Sequence, residues 1–300
     1  MADPLALATR PYTGRFAPSP TGALHLGSLT TAAASFLDAR QAGGRWLLRI
    51  EDLDTLRSLP GAADAILRTL EQLGFWWDGP VIYQSQRLAS YREALDRLAG
   101  QQLLYGCSCS RRELGATDDP GGYPGTCRAG PLKSGPAATR FRADLRPVGP
   151  FVDRVQGPTV AAALAGGDPI VRRRDGLHAY QLAVVVDDGE QGVTDVVRGA
   201  DLLASTDWQR SLQRALSWPE PRYAHLPLVC EPGGGKLAKS TRAVAPDTRA
   251  AAGQIWQVLA LLRQQPPTDL ATAALPALWQ WAIAHWRLSA VCGVATLPAD

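Results

Sequence analysis

Short apolar runs alternate along this chain with stretches in which apolar residues return every three or four positions, a pattern that predicts strands and helices in turn. A run from Tyr12 to Ala17 reads as a strand; Pro18 and Pro20 forbid a helix directly behind it, and Gly22 permits a tight turn. From Leu24 onward Leu26, Leu29, Ala33, Phe36 and Leu37 keep helical spacing through to Arg40. A strand over Arg45–Ile50 follows, then a helix carrying Ile66, Leu67, Leu70 and Leu73, then one over 88–99 with Tyr91, Leu95 and Leu98 on one side, then a strand over 103–107. There the texture changes. Residues 107–171 are written in glycine, proline and arginine, with short extended pieces such as 140–143 and few side chains large enough for a core of their own. Periodicity resumes at 179–188, apolar throughout and therefore buried, as either helix or strand. A strand over 193–197, a helix over 202–216 with Trp208, Leu212 and Leu216 on one face, and a strand over 226–229 complete the alternation. Behind Ser240 come helical patterns around 254–263 and 275–287; their Trp256, Trp279, Trp281 and Trp286 fall at helical spacing, which favours a core role over base stacking.

Strand, helix, strand before and after a break implies an α/β fold: a Rossmann-type parallel sheet interrupted by an insertion and followed by a C-terminal helical segment. The expected units are 1–106 and 172–245 for the two halves of the sheet domain, 107–171 for the insertion and 246–300 for the C-terminal helices. No apolar run approaches the roughly 18 to 20 residues of a membrane span, and the first ten residues lack the basic start of a signal peptide. The expectation is a cytoplasmic monomer that keeps away from membranes. A net charge of only +3 means that any nucleic acid is held by local patches rather than by a global field.

The chemistry concentrates in three places. Arg15, Phe16, Ala17, Pro18 and Ser19 end the first strand, and His25, Gly27 and Ser28 open the helix behind it, so the free amides and positive dipole of the helix N-terminus face the loop. That end suits a phosphate, with His25 as a donor and Gly27 leaving room for a flat ring, although a histidine there also serves as a cap or a core residue. Far along the chain, Lys236, Lys239 and Ser240 follow three glycines. Of 31 basic residues only three are lysine, and two of them fall in this pentapeptide, where a compact, swinging ammonium suits a triphosphate better than a planar fork. Glu51, Asp52 and Asp54 end the second strand, at the carboxyl edge where α/β sheets bind ligands; a capping cluster for the next helix is the alternative. Arg198 ends a later strand, as a ligand contact or as the partner of Asp195 or Asp201. Finally Cys107, Cys109 and Cys127 crowd a segment with little core, which a structural zinc explains better than a disulfide framework does. A fourth ligand is needed; no histidine lies nearby, the closest in sequence being His178, and Tyr123 is available as an unusual oxygen donor.

Pro18-Ser19-Pro20-Thr21-Gly22-Ala23-Leu24-His25-Leu26-Gly27-Ser28 resembles the HIGH motif of class I aminoacyl-tRNA synthetases of the glutamyl and glutaminyl type, and Lys236-Leu237-Ala238-Lys239-Ser240 resembles their KMSKS motif. Ser28 stands where the first motif ends in histidine, and Ala238 replaces a serine. The Cys-x-Cys and Tyr-x-x-x-Cys spacing is similar to the zinc site of the glutamyl-queuosine tRNA(Asp) synthetases, a branch with this catalytic body and no anticodon-binding domain. The resemblance implies a Rossmann catalytic domain and one structural Zn²⁺ held by Cys107, Cys109, Tyr123 and Cys127. Catalysis would fall to His25 and Lys239. ATP, as its Mg²⁺ complex, would be held by His25, Gly27, Ser28, Lys236, Lys239 and Ser240. L-glutamate would be held by residues 15 to 19, Glu51, Tyr180 and Arg198, with Glu51 on the α-amino group. Two guanidinium groups suit a substrate with two carboxylates, so glutamate is expected rather than glutamine. The acceptor implied is the queuosine base in the anticodon of tRNA(Asp); a truncated glutamyl-tRNA synthetase and a non-catalytic tRNA-binding paralogue are the alternatives.

Overall fold

The structure, a computed structural model, describes residues 10–110, 113–114, 123–159, 167–230 and 248–298. Strand β1 (Thr13–Phe16) runs into helix α1 (Leu26–Gln41), which returns to β2 (Arg45–Ile50). Helix α2 (Ala62–Gln72) leads to the short β3 (Ile82–Tyr83) and helix α3 (Leu88–Gly100). The joint between α1 and β2 is tight: a Cβ on Gly44 would stand 2.5 Å from the Tyr12 carbonyl oxygen, which the Arg45 amide needs as its acceptor at 2.9 Å.

Strands β4 (Leu104–Cys107), β5 (Ala138–Phe141) and β8 (Ile170–Arg172) make an antiparallel sheet, and β6 (Phe151–Asp153) pairs with β7 (Gly157–Thr159) in a hairpin. Helix α4 (Tyr180–Glu190) follows, so the undecided apolar stretch is helical, with Leu182 to Val186 all buried. Strand β9 (Asp195–Gly199) precedes a 3₁₀ turn over Ala200–Ser205 and helix α5 (Thr206–Ala215), which divide the single helix expected over 202–216. Where one strand is expected over 226–229, two lie side by side in sequence: β10 (Arg222–Leu226) and β11 (Leu228–Cys230). Helices α6 (Ala251–Leu261) and α7 (Leu275–His285) and strand β12 (Thr296–Pro298) end the described chain.

The first ladder is β1-β2-β3 and the second β10-β9, each parallel throughout. Thr194 joins them: its amide donates to the Thr13 carbonyl at 2.9 Å and its hydroxyl accepts from the Thr13 amide at 2.8 Å. The chain thus leaves β1 toward β2 on one side and comes back as β9 on the other. In open α/β sheets that switch point opens a crevice at the carboxyl ends of the strands. Helix α1 covers it as a buried helix; Ala32, Ala33 and Ala34 are fully buried and let it lie close to β1, β2 and β9, while α6 and α7 pack against it as well. Trp279 of α7 sits edge-on to Phe36 and Phe75 at 4.9 Å and donates to the Leu73 carbonyl at 3.0 Å, and Trp286 donates to Asp38 of α1 at 3.3 Å. The tryptophans at these two positions are core residues, at 2 % exposure each.

The inserted elements do not stand apart. Phe141, Ala143 and Val171 share a core with α3, α4 and α5. Arg154, in the β6–β7 turn, pairs with Asp38 of α1 at 2.5 Å.

Candidate active site

The crevice is a cleft of about 780 Å³ at the carboxyl ends of β1, β2 and β9. Residues 15 to 19, His25, Gly27, Ser28, Glu51, Tyr180 and Arg198 all line it. Lys236, Lys239 and Ser240 lie outside the described residues. The wall nearest to them in sequence, Leu228 and Val229, belongs to the same cleft, and Val229 faces Gly27.

His25 is the N-cap of α1. Its Nδ1 accepts from the Ser28 amide at 3.2 Å, and its Nε2 lies 3.0 Å from the Ser28 hydroxyl. Ser28 therefore holds both ring nitrogens, which gives the serine at the end of the motif a positioning role. With Nδ1 accepting, a neutral imidazole keeps its proton on Nε2. The flat ring that lies over Gly27 is this imidazole: a Cβ on residue 27 would come within 3.2 Å of it.

Arg198 is 4 % exposed, and its hydrogen-bond partners among the described residues are all neutral groups. Nε donates to His225 Nε2 at 3.0 Å, one terminal nitrogen to Gln209 at 2.6 Å and the other to the Thr206 hydroxyl at 2.8 Å, with the Leu202 carbonyl at 3.5 Å. No carboxylate pairs with it among the described residues: Asp195 instead meets Arg222 at 2.8 Å and Arg154 at 3.4 Å. A cation held this way, facing a cleft, has an uncompensated charge that an anionic ligand would neutralise. Arg15 differs. Its Nε edge lies 3.2 Å from Asp188, whose carboxyl also takes Arg49 at 2.8 Å. Burial pushes the Asp188 pKa up, but Arg15 and Arg49 outweigh it and hold it below the ordinary value.

Glu51 ends β2 beside this chain of charges. Among the described residues its nearest ion-pair partner, Arg49, is 3.6 Å away, and its buried Oε1 has no hydrogen-bond partner. Burial raises its pKa, the Arg49 and Arg15 charges only partly offset that, and the carboxyl is pushed up to about 7. A ligand ammonium would supply the missing partner and favour the ionised form. Tyr180, the first residue of α4, faces the same space, with its phenol raised by burial. Of the other acids of the cluster, Asp52 takes Ser85 through its amide at 2.8 Å and its hydroxyl at 2.6 Å, while Asp54 also lines the cleft, paired with Arg173 at 2.9 Å. Neither caps α2, whose N-cap is Gly61.

Asp187, Asp188 and Arg49 are the functional candidates that pattern reading missed. The only signal was a pair of acids ending an apolar run. Asp187 binds Tyr91, Gln84 and Arg87 beneath the cleft at 2.9, 2.7 and 2.5 Å.

The sulfur atoms of Cys107, Cys109 and Cys127 lie within 4.8 Å of one another. Tetrahedral zinc thiolates, at about 2.3 Å from the ion, stand roughly 3.8 Å apart, so the cluster has the dimensions of a metal site. Tyr123 is buried beside it, 3.5 Å from the Cys107 sulfur, with its oxygen accepting from the Cys127 amide at 2.7 Å. His178 is not part of this cluster; it lines the cleft, against Tyr91. Burial raises the Cys127 pKa, but amides of Leu132 and Ser108 and the Tyr123 hydroxyl outweigh it and bring the thiol down to about 6.

Comparison with known proteins fits this geometry. The family model for the catalytic domain of class I tRNA synthetases (E and Q) matches residues 12–120 and 124–263. A glutamyl-Q tRNA(Asp) synthetase of Dechloromonas aromatica (strain RCB) is 54% identical over 290 residues, spanning 94% of this chain and 96% of the relative. The chain belongs to the glutamyl-Q tRNA(Asp) synthetase family. A relative of that name from Chromobacterium violaceum is 52% identical over 296 residues, 96% of this chain and 98% of its own. Among solved structures, a glutamate tRNA ligase from Elizabethkingia meningosepticum CCUG26117, crystallised with its amino acid, superposes with a TM-score of 0.79 at 26% identity, covering 97% of this chain and 67% of that one. The chain is thus a ligase of the class I synthetase family with the α/β body of a glutamate enzyme. No helix among the described residues is long and apolar enough to cross a membrane.

Glu51 gives a pH dependence with a definite sign. The carboxylate that would meet an α-ammonium is ionised in the free protein only above about 7. The kcat/KM for glutamate is therefore expected to fall as pH drops from 8 through 7, with an inflection that Glu51→Gln removes at the cost of lower activity throughout. A profile flat over that range in the parent protein would detach Glu51 from substrate binding.

Proposed function

We infer that this protein activates L-glutamate with ATP and transfers the glutamyl group to the queuosine base in the anticodon of tRNA(Asp). An oxygen of the α-carboxylate attacks the α-phosphorus of ATP, the bond to the β-phosphate bridge breaks, and pyrophosphate leaves glutamyl-adenylate behind. A hydroxyl of the queuosine cyclopentenediol then attacks the acyl carbon, releasing AMP and a proton. Positioning and charge neutralisation carry most of such phosphoryl chemistry.

The cleft supports the roles of its lining residues, and the resemblance of the lysine motif supports those of Lys236, Lys239 and Ser240. The amide groups at the start of α1 and the His25 imidazole face the phosphates of MgATP, and Lys236, Lys239 and Ser240 complete that grip. Glu51 accepts the α-ammonium, and Arg198, Arg15 and Tyr180 meet the carboxylates. The observation that carries the reading is the buried guanidinium of Arg198, with no acidic partner among the described residues, in one cleft with the under-bonded carboxylate of Glu51. Those are the complements of a carboxylate and an ammonium, the two ends of an amino acid. Glutamine, with a neutral amide, would leave part of that cationic site unmatched, a penalty on the order of several kcal/mol.

A structural zinc held by Cys107, Cys109, Cys127 and Tyr123 ties the insertion together; its chemistry is cross-linking, and no step of the reaction needs it. The enzyme works as a monomer in the cytoplasm, where ATP and tRNA are at hand. Labelled glutamate offered to tRNA(Asp) with and without queuosine tests the acceptor. Label is expected only on the queuosine-bearing tRNA. Equal labelling of both, at the 3′ end, would assign the chain to acceptor-end charging instead.

A further inference from the structure

We propose, on the basis of the glutamate reading above, that His225 and Asp153 are positioning residues for Arg198. The neutral imidazole, protonated on Nδ1, fixes the guanidinium in the orientation that receives the substrate carboxylate. His225 and Arg198 are register partners on the adjacent parallel strands β10 and β9. The imidazole is fully buried, with Nε2 3.0 Å from Arg198 Nε and Nδ1 2.6 Å from Asp153 Oδ2. An arginine nitrogen only donates, so Nε2 must accept; the ring proton then belongs on Nδ1 and goes to Asp153. Asp153 is held in its turn, its Oδ1 taking the amides of Val155, Gln156 and His225 at 2.9, 2.9 and 3.0 Å. Helix α5 fixes the other edge of the guanidinium through Gln209 and Thr206, and Gln209 is itself tied to Gln181 at 2.9 Å.

This arrangement makes the charge at Arg198 directional. An imidazolium at residue 225 would present a second donor to Arg198 Nε and break the bond. The charged groups facing the ring are Asp153 from β6, which favours the proton, and Arg198 from β9 and Arg15 from β1, which oppose it. Thr206 and Gln209 on α5 add neutral dipoles, and Tyr223 stacks at 5.9 Å on the same strand. Asp153 comes from the inserted hairpin, so the insertion reaches beneath the amino-acid end of the cleft and contributes to its precision without touching substrate.

Two substitutions separate positioning from mere packing. His225→Gln brings an amide to the place of Nε2 and keeps an acceptor for Arg198; His225→Asn ends near Nδ1, keeps a donor for Asp153 and leaves Arg198 Nε unmet. In glutamate-dependent pyrophosphate exchange, His225→Asn should raise the KM for glutamate about ten- to a hundred-fold, the effect of one lost bond to a charged group, with the KM for ATP unchanged. His225→Gln should return the glutamate KM close to that of the parent. Both variants behaving like the parent would overturn the proposal, as would equal rises in both KM values in both variants. A parent protein whose exchange ignores glutamate would instead overturn the underlying reading, and the proposal with it. The chain has four histidines, so nitrogen NMR of the imidazoles gives a readout that survives a misfolded variant. His225 should appear as the neutral Nδ1–H form, and an Nε2–H or doubly protonated ring near pH 7 would contradict the assignment.

Discussion

Arg198→Ala should lower kcat/KM for glutamate by about 10²- to 10³-fold, the usual consequence of truncating one member of a buried, hydrogen-bonded charge pair. The KM for ATP should hardly move, because the side chain is fixed by β10 and α5 and makes no bond to α1 among the described residues. Two features make the effect large. The guanidinium is buried and has no acidic partner among the described residues, so a substrate carboxylate would be the anion it was built to receive. Its orientation is also fixed in advance on both edges, so little entropy is lost on binding. Arg198→Lys should recover only a small part of the activity: one ammonium cannot serve His225, Gln209, Thr206 and a carboxylate together. Steady-state pyrophosphate exchange over a range of glutamate and ATP concentrations checks this, and an unchanged glutamate dependence in the alanine variant would contradict it.

The second large effect concerns the cysteine cluster. Stripping the proposed zinc with a strong chelator, or replacing Cys127 by serine, should loosen the Cys107 end of β4 and residues 123–130 while the parallel sheet and the β5–β8 pairing, which packs into the shared core, survive. Cys127 is fully buried beside Cys107 and Tyr123, with few other large apolar side chains around them. Binding free energies of structural zinc are on the order of 10 kcal/mol in small domains, more than so small a cluster of side chains supplies by burial. Hydrogen exchange should therefore accelerate at the Cys107 end of β4 and over residues 123–130 and stay slow in β5, β1 and α1. Metal analysis should find one zinc per chain, lost in the serine variant. A protein that keeps its protection at the Cys107 end of β4 and over residues 123–130 after chelation would show that the thiols do no structural work. The β6–β7 hairpin gives a finer test, since it is tied to α1 through Arg154 and Asp38 rather than through the cluster.

Much of the site was legible in residues 15 to 28 because the signals there are local. Two prolines end a strand, a change of period starts a helix, and the residues between them must lie at the helix N-terminus. Glu51 was legible for the same reason, as an acid at the carboxyl end of a strand. The network that aims Arg198 was not. Arg222-Tyr223-Ala224-His225-Leu226 has no apolar run and no clean alternation, yet all but Arg222 are buried, because the polarity of His225 is satisfied by Asp153 and Arg198. Pattern reading assigns polar residues to solvent and so passes over a strand whose polar groups are paired inside. Helix α5 shows the same effect: Trp208 and Leu212 announce one face, but Gln209, Arg210, Ser211 and Gln213 are buried too, held by partners such as Glu220, the Arg146 carbonyl and Tyr223. The ion pair with Asp195 that the sequence left open to Arg198 did not form because Asp195 is claimed by Arg222 and Arg154, a choice made by tertiary neighbours.

The central claim is that this cleft joins glutamate to ATP before any tRNA arrives at the reacting atoms. Exchange of labelled pyrophosphate into ATP, measured without tRNA and with glutamate, glutamine or no amino acid, tests it most directly. Exchange that requires glutamate and is at least about a hundred-fold weaker with glutamine is the expected result, given the cost of leaving a buried fork unmatched. Exchange supported equally by glutamine, or no exchange with either amino acid, would contradict the account.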